Sequence, residues 1–566
     1  MSDTGKLPAQ SQVLIVGGGP CGLMLANELG RRGVTATLID AKSDTAFNPQ
    51  ANATQARTME HFRRLGFADE IRALGLPPDY PTDIAYYTRF ARYELARFML
   101  PSAREAKQKV SSLSGSWSAA ELPHRVSQKF VEALLRRKAA QRPGISVNFG
   151  WRLTAFTDHG THVAAEVERV EDGLQQTLRA DYLVGADGPR SFVRRQLGFR
   201  YGGETGILRD FMGGRMLAIY LRAPRFYDAV GHAPAWMNVT FNQDRRAFMA
   251  AVDGKGEFAF HTQLRTHEDE SRISDADARA MFEAATGRRM DVEILARDAW
   301  TAGHALVAEG FQQGRVFLGG DAAHLFTPTG GLGYNTAVDD AVNLGWKLAA
   351  VLKGQGGRNL LESYEAERRP LALRNTEYAR EFADSLGLFE AAPELEDDTP
   401  EGEAARRRAG EYLEAHARRE FNIPGITFGG RYDGSPVIVS DGTAPPPDTA
   451  NAYVPSACPG GRAPHAWLDD GRSLYDTFNF EWTLLQLGST ASAGTRDAIA
   501  FERAAMAAGL DLRSVALPGA ELRDIYGADF ALIRPDQVVA WRGNEAEEAA
   551  AIVATAIGAD GGSSSA

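Results

Sequence analysis

The segment GGDAAHLFTPTGGLGYN, residues 319–335, sets one carboxylate, Asp321, on a glycine turn and then, past Pro328, brings Gly330, Gly331 and Gly333 up to Tyr334 and Asn335. A carboxylate accepts hydrogen bonds from hydroxyls, and glycine leaves main chain bare enough for a flat or charged group to lie against it. The helical stretch NTAVDDAVNLGWKLAAVL presents the amides of Tyr334 and Asn335 at its start, where a helix end favours negative charge. The segment thus offers bare main chain beside one carboxylate. The other reading is a structural loop capped by Asn335.

A second cluster, Gly17, Gly19, Pro20 and Gly22, follows the apolar run from Val13 to Val16 and leads into helical spacing from Leu23 to Gly30. The next apolar run, Ala36 to Ile39, ends at Asp40, roughly twenty residues past the glycines. Strand, G-x-G-x-x-G, helix, strand and acid in that order make the dinucleotide fingerprint. The glycines permit a tight turn and close approach to a pyrophosphate, and Asp40 accepts the ribose hydroxyls. No second cluster of this kind has strand context, so one Rossmann-type nucleotide unit is expected. A third segment, DYLVGADGPRSFVRRQLG at residues 181–198, places Asp187 and Gly188 after an apolar strand, with Ser191 and Arg194 beyond; by itself it also reads as a turn with a helix cap.

The elements that position these residues belong to a globular chain. Its 566 residues, 44% hydrophobic and 24% charged, suffice for more than one domain with its own core. A net charge of −11 argues against nucleic acid as a partner. Two cysteines, Cys21 and Cys458, give neither a disulfide framework nor a metal cluster, and no metal site is expected. The first residues lack the apolar core of a signal peptide, and no run approaches about 18 apolar residues. A cytoplasmic enzyme without a membrane span is expected.

Together the three motifs resemble the single-component flavoprotein aromatic hydroxylases, or class A flavin monooxygenases, of the phenol hydroxylase-like branch. The resemblance covers nearly the whole chain. It implies an α/β fold: a Rossmann-type FAD-binding domain, an inserted β-sheet substrate domain like that of p-hydroxybenzoate hydroxylase, and a thioredoxin-like C-terminal domain. It further implies FAD, with NADPH or NADH as co-substrate, O2, a small aromatic substrate, and hydroxylation through a flavin C(4a)-hydroperoxide in a homodimer. Asp321 would then bind the ribityl chain, and Gly331, Gly333, Tyr334 and Asn335 would lie along the isoalloxazine ring beside Pro328. Asp187 would lie near the pyrophosphate. In PQANATQARTMEHFRRLG the resemblance puts Gln50 beside FAD, and in PHRVSQKFVEALLRRKA it puts Gln128 at the ribityl side. A Baeyer-Villiger or epoxidising polyketide-tailoring oxygenase on the same fold, or an FAD-dependent dehydrogenase, is the alternative.

One position departs from the pattern. Some relatives carry a histidine or aspartate two residues past Gln50 that helps deprotonate the substrate; this chain has Asn52, whose amide cannot act as a base. Arg215, Tyr220, His232 and Trp236, on strand-like runs between residues 200 and 300, are candidates to reach the substrate.

The expected organisation is an FAD-binding domain from 1–80, 110–200 and 300–385, and a substrate domain from 80–110 and 200–300. A charged helical arm and a proline-rich linker follow over 386–450, and the C-terminal domain covers 451–560. The arm reads as a surface or dimer-side helix rather than core. The C-terminal domain has no C-x-x-C, so stabilisation or dimer contact is its expected role.

Overall fold

A computed structural model describes residues 5–49, 51–205, 213–488 and 495–559; Gln50 lies outside them. The apolar strand Gln10–Val16 lies between Ala36–Asp40 and Gln175–Gly185, parallel to both. Ile145–Phe149 continues the parallel arrangement on one side and Val316–Leu318 on the other. The register decides where the three motifs meet: Val16 is opposite Gly185, and Gly185 is opposite Leu318. The loops starting at Gly17, Ala186 and Gly319 therefore leave the carboxyl ends of adjacent strands together, the edge at which open α/β sheets bind ligands.

A second, seven-stranded sheet runs in the order Glu293–Ala302, Gly214–Arg222, Glu257–Gln263, Ala247–Ala251, Met237–Thr240, Ile84–Tyr87, Glu94–Phe98. One of its faces packs on the helix Asp275–Thr286 through Phe258, Phe260 and Phe282. The other turns toward the nucleotide sheet, where Tyr220 meets Phe47 and Lys129. A four-stranded C-terminal sheet pairs Trp482–Leu487 in parallel with Leu512–Leu517 and antiparallel with Phe530–Ile533. Helices Arg496–Ala507, Ala520–Tyr526 and Ala549–Ala556 accompany it, completing a thioredoxin-like unit. Among the described residues no helix is long and apolar enough to cross a membrane.

The charged helix Pro400–Phe421 differs from the expected surface arm. Ala405, Ala409, Leu413 and Ala417 form a narrow buried stripe in the core of the second sheet. Gly410 allows the close approach, because a Cβ there would stand 2.3 Å from the Leu95 carbonyl oxygen. The arginines and glutamates that make the sequence look solvated occupy the remaining faces.

The C-terminal unit docks through buried ion pairs. Glu60, on helix Ala56–Leu65, accepts from Arg462 at 2.6 Å and from Arg57 at 3.0 Å. Burial alone would raise the Glu60 pKa, but Arg462 and Arg57 outweigh it and hold the carboxyl near about 2. Because this lies below the unfolded value of about 4.3, the pair stabilises the fold above that value and the contribution is lost as pH falls toward 2. We expect the melting temperature to drop steeply across that interval. In Glu60→Gln the drop should be shallower and stability already lower at neutral pH, by roughly 3–5 kcal/mol, since the change leaves buried guanidinium charge uncompensated. Thermal melts against pH check both.

Candidate functional site

The first glycine cluster divides its work. A Cβ on Gly17, whose φ is +119°, would fall 2.1 Å from the Ala186 carbonyl oxygen, and one on Gly22 would fall 2.0 Å from that of Gly17. Both are fixed by packing of the motif loops on each other. Gly19 is different: it has ordinary extended backbone, with φ −82°, and nothing stands within 4 Å of where its Cβ would be. That space opens directly before helix Pro20–Arg31, whose first amides have no intrahelical partner. It is a cradle for an anion. Asp40 closes one side, its two oxygens accepting from Gly18 N at 2.7 Å and Lys42 N at 2.8 Å. These bonds fix the carboxylate and leave lone pairs for hydroxyls.

The second motif serves the third. Asp187 accepts from Ser191 Oγ at 2.5 Å, Phe192 N at 2.7 Å and Val193 N at 3.1 Å. Its carboxylate caps helix Phe192–Gln196. The helix holds Arg194 over the Tyr201 ring at 3.6 Å, and Arg194 donates to the Ala322 carbonyl at 3.3 Å. The Tyr201 hydroxyl donates to the carbonyl of Asp321. From below, Asp340 accepts from Gly320 N at 3.1 Å and pairs with His324 and Arg368.

This frame fixes the main chain of Asp321 and leaves its side chain exposed at the bottom of the groove. Among the described residues the Asp321 carboxylate has no hydrogen-bond partner. The surrounding protein pushes its pKa up, against the pull of His324 and Lys42.

Gly330 and Gly331 adopt left-handed backbone, with φ +60° and +63°, to lead into the next helix. Gly330 is held from both sides: its N–H donates to Glu420 at 2.9 Å and its carbonyl accepts from Gln55 Nε2 at 3.0 Å. The helix spans Leu332–Leu352, with Gly331 as its cap, and thus opens earlier than the sequence suggested. By helix geometry the unspent amides are those of Leu332, Gly333 and Tyr334, while Asn335 N is inside the first turn. The Asn335 side chain instead staples loop to loop, donating to Ala53 O at 3.0 Å and accepting from Gln55 N at 2.9 Å. Pro328 is exposed at the rim. Gln128 begins helix Gln128–Ala140 and donates to Glu132 at 2.7 Å, which leaves its carbonyl oxygen without a protein partner among the described residues.

Facing these loops, the second sheet supplies aromatic surface. His261 lies opposite both Ala218 and Phe248, and Met216 lies opposite Trp300, so alternation puts Phe248, His261, Trp300 and Tyr220 on one face. Phe248 stacks on His261 with centroids 4.5 Å apart and planes 6° from parallel, and Trp300 Nε1 donates to His261 Nδ1 at 3.3 Å. Burial holds the His261 pKa down at about 4, so the ring is neutral at ordinary pH and can accept.

Of the residues expected at the substrate, Tyr220 lies on the nucleotide side of the sheet, and Trp236 meets the Arg125 guanidinium. The Tyr220 hydroxyl is already engaged, donating to Glu257 and accepting from Lys129 at 3.0 Å. Arg215 and His232 do not join the site. Arg215 is opposite in parity to Met216 and forms an exposed ion pair with Glu270. His232 is exposed against Tyr87 and bonded to the Arg92 carbonyl at 2.7 Å. Asn52 is half-buried, and among the described residues its Oδ1 has no partner. Sequence reading missed Phe248, His261, Trp300 and Glu420. The alternation in RRAFMAAVD and EFAFHTQ announces strands but not which face they turn inward.

Open space at Gly19, a partnerless carboxylate at Asp321 and a bare helix end at Leu332 fit a ligand with phosphates, a polyol and an anionic ring, the composition of FAD. Comparison with known proteins agrees. The FAD-binding domain family matches residues 10–379, and the aromatic-ring hydroxylase C-terminal family matches residues 456–559. The chain belongs to the class A flavoprotein aromatic hydroxylases. Phenol 2-monooxygenase of Pseudomonas sp. (strain EST1001) is 32% identical to it, over 94% of this chain and 90% of the relative. Aklavinone 12-hydroxylase RdmE of Streptomyces purpurascens is 30% identical, over 95% of this chain and 96% of the relative. Among solved structures, RebC with bound 7-carboxy-K252c superposes with a TM-score of 0.86 at 33% identity, covering 98% of this chain and 100% of that one. This hydroxylase is therefore an FAD-dependent monooxygenase that uses NAD(P)H and O2 to hydroxylate an electron-rich aromatic substrate, and its two large sheets are those of the p-hydroxybenzoate hydroxylase-like fold.

Proposed function

We propose that the hydroxylase binds FAD along the edge where its three motif loops meet and holds a planar hydroxylated ring between loop 330–334 and the Phe248, His261, Trp300 wall. What supports the reading most is the partnerless Asp321 carboxylate in the same groove as the unspent amides of Leu332, Gly333 and Tyr334. In it, Gly19 admits the pyrophosphate to helix Pro20–Arg31, Asp40 holds the ribose, and Asp321 and Gln128 hold the ribityl chain. Gln50, outside the described residues, enters this reading by the family resemblance alone, as a contact of FAD. Bound FAD supplies the redox chemistry, carrying reducing equivalents from NAD(P)H to O2 and delivering one oxygen atom to the ring. The amides at Leu332, Gly333 and Tyr334 favour the anionic reduced cofactor. The stacked rings of the wall keep water from the site, which limits the loss of oxidant as peroxide.

Asn52 has an unpaired buried oxygen suited to accept from a substrate hydroxyl and orient it, without removing its proton. Asn52→Ala is expected to retain FAD and to lower hydroxylated product per NADPH consumed by about tenfold, the worth of one buried hydrogen bond. Product analysis alongside peroxide assay measures this; unchanged coupling removes Asn52 from the site.

The same proposal divides the chain into FAD-binding segments 1–80, 110–200 and 300–385, substrate segments 80–110 and 200–300, and a C-terminal domain over 451–560. It includes a cytoplasmic setting and a homodimer, for which exposed Leu388 and Tyr412 offer apolar surface, and light scattering of the purified protein tests the latter. The substrate is a phenol or a larger phenolic polyketide, as the phenol- and aklavinone-named relatives suggest. A panel of mono- and polycyclic phenols screened for accelerated NADPH oxidation tests the assignment: acceleration by at least one ring is expected, and none across the panel contradicts it.

A further inference from the structure

Among the described residues most buried arginines come with acids, as Arg32 with Glu28, Arg368 with Asp340, Arg462 with Glu60 and Arg534 with Glu367, and Arg194 without one donates to main-chain carbonyls. Arg125 does neither. It is 9% exposed, and among the described residues its guanidinium has neither a carboxylate nor a hydrogen-bond partner. The ring of Trp236 lies against it, with the guanidinium carbon 4.0 Å from the centroid. Burial brings its pKa down to about 10. A cation over an indole recovers only part of the cost of leaving water. The neighbouring His124 offers no negative charge in return; burial, with Arg72 and Arg125, holds its pKa near about 3.

The position of this charge is specific. Residues 124–128 run beside 51–54, with Thr54 bridged to His124 and Gln128 N donating to Ala51 O at 2.7 Å. Arg125 thus borders the Asn52 segment. Trp236 also meets Phe421 edge-on at 6.0 Å, and the adjacent Glu420 holds Gly330 of the flavin loop. An unmatched cation therefore lies among the elements that enclose the substrate, in a site whose Asn52 cannot take a proton.

We propose that Arg125 is the counter-ion for an anionic aromatic substrate, its guanidinium meeting a phenolate or carboxylate oxygen of the ring. The assignment rests on the hydroxylase reading of the site and narrows its substrate to rings that carry negative charge when bound. It accounts for the missing base, because a ring ionised against Arg125 needs none.

The test uses the FAD-loaded full chain as wild type, Arg125→Gln and Arg125→Lys. Hydroxynaphthoate, its methyl ester and methoxynaphthoate are each titrated, and binding is followed by the flavin absorbance change. Wild type is expected to bind at least one charged probe tenfold or more tightly than its uncharged counterpart. Arg125→Gln should abolish that preference while leaving the weaker binding unchanged, and Arg125→Lys should restore part of it. Loss of selectivity with the ester assigns the carboxylate, and loss with the methyl ether assigns the phenolate. Wild type without preference for a charged probe, or Arg125→Gln weakening all probes equally at unchanged FAD content and melting temperature, overturns the assignment. If charged probes bind selectively but no ring stimulates NADPH oxidation, the hydroxylase reading fails while the counter-ion stands.

Discussion

Asp321→Ala is expected to yield folded protein that purifies without its yellow colour. The turn carrying Asp321 does not need the carboxylate: Arg194 and Tyr201 hold its carbonyls from above, and Asp340 holds Gly320 N from below. The side chain itself has no protein partner among the described residues, so alanine breaks nothing within the chain. What is lost is a hydrogen bond from a ligand hydroxyl to a charged acceptor, worth about 1.5–3 kcal/mol, or roughly ten- to a hundredfold in affinity. The ratio of flavin to protein absorbance, and titration of stripped protein with FAD, read the effect. Unchanged affinity in a yellow protein removes Asp321 from the cofactor site. Asp321→Asn keeps an acceptor without the charge and should fall between.

The second large effect separates two glycines three positions apart in one motif. Gly22→Ala puts a methyl 2.0 Å from the Gly17 carbonyl oxygen, where backbone meets backbone and no side chain can yield. The strain falls on the protein, so lowered melting temperature or poor expression is expected even without cofactor, at a cost of roughly 1–3 kcal/mol or more. Gly19→Ala has open space around its new methyl and ordinary backbone. The stripped protein should melt at the wild-type temperature or slightly higher, since alanine restricts the unfolded chain by about 0.4–1 kcal/mol. Its FAD affinity should nevertheless fall tenfold or more, because that space receives the pyrophosphate. Melting curves with and without FAD distinguish the two. A Gly19→Ala protein that binds FAD normally contradicts the cradle.

These contrasts mark how far sequence alone carries. The nucleotide sheet is legible because its strands are buried on both faces and read as unbroken apolar runs, with glycine where main chains touch. Val13 to Val16, Ala36 to Ile39 and Gly17 are instances. The substrate sheet is harder to read. Its alternation gives strands, but a shift of one residue exchanges faces, and only the register shows that Met216 points inward while Arg215 pairs with Glu270 outside. Asp187 caps a helix, the turn-and-cap reading its motif already offered, and which donors it meets comes from the fold. Helix Pro400–Phe421 shows the same limit from the other side, since charge dominates its composition while four small or apolar residues decide its burial. Arg125 was illegible for a related reason: what distinguishes it is a partner it lacks, which no local pattern in PHRVSQ reveals.

The most direct test of the reading as a whole is mass spectrometry of the product formed by the FAD-loaded protein with NADPH, a stimulating phenol and isotopically heavy dioxygen. One heavy oxygen atom bonded to a ring carbon of the product is the expected result. Product oxygen drawn from water, or oxidised ring with no oxygen gained, contradicts it.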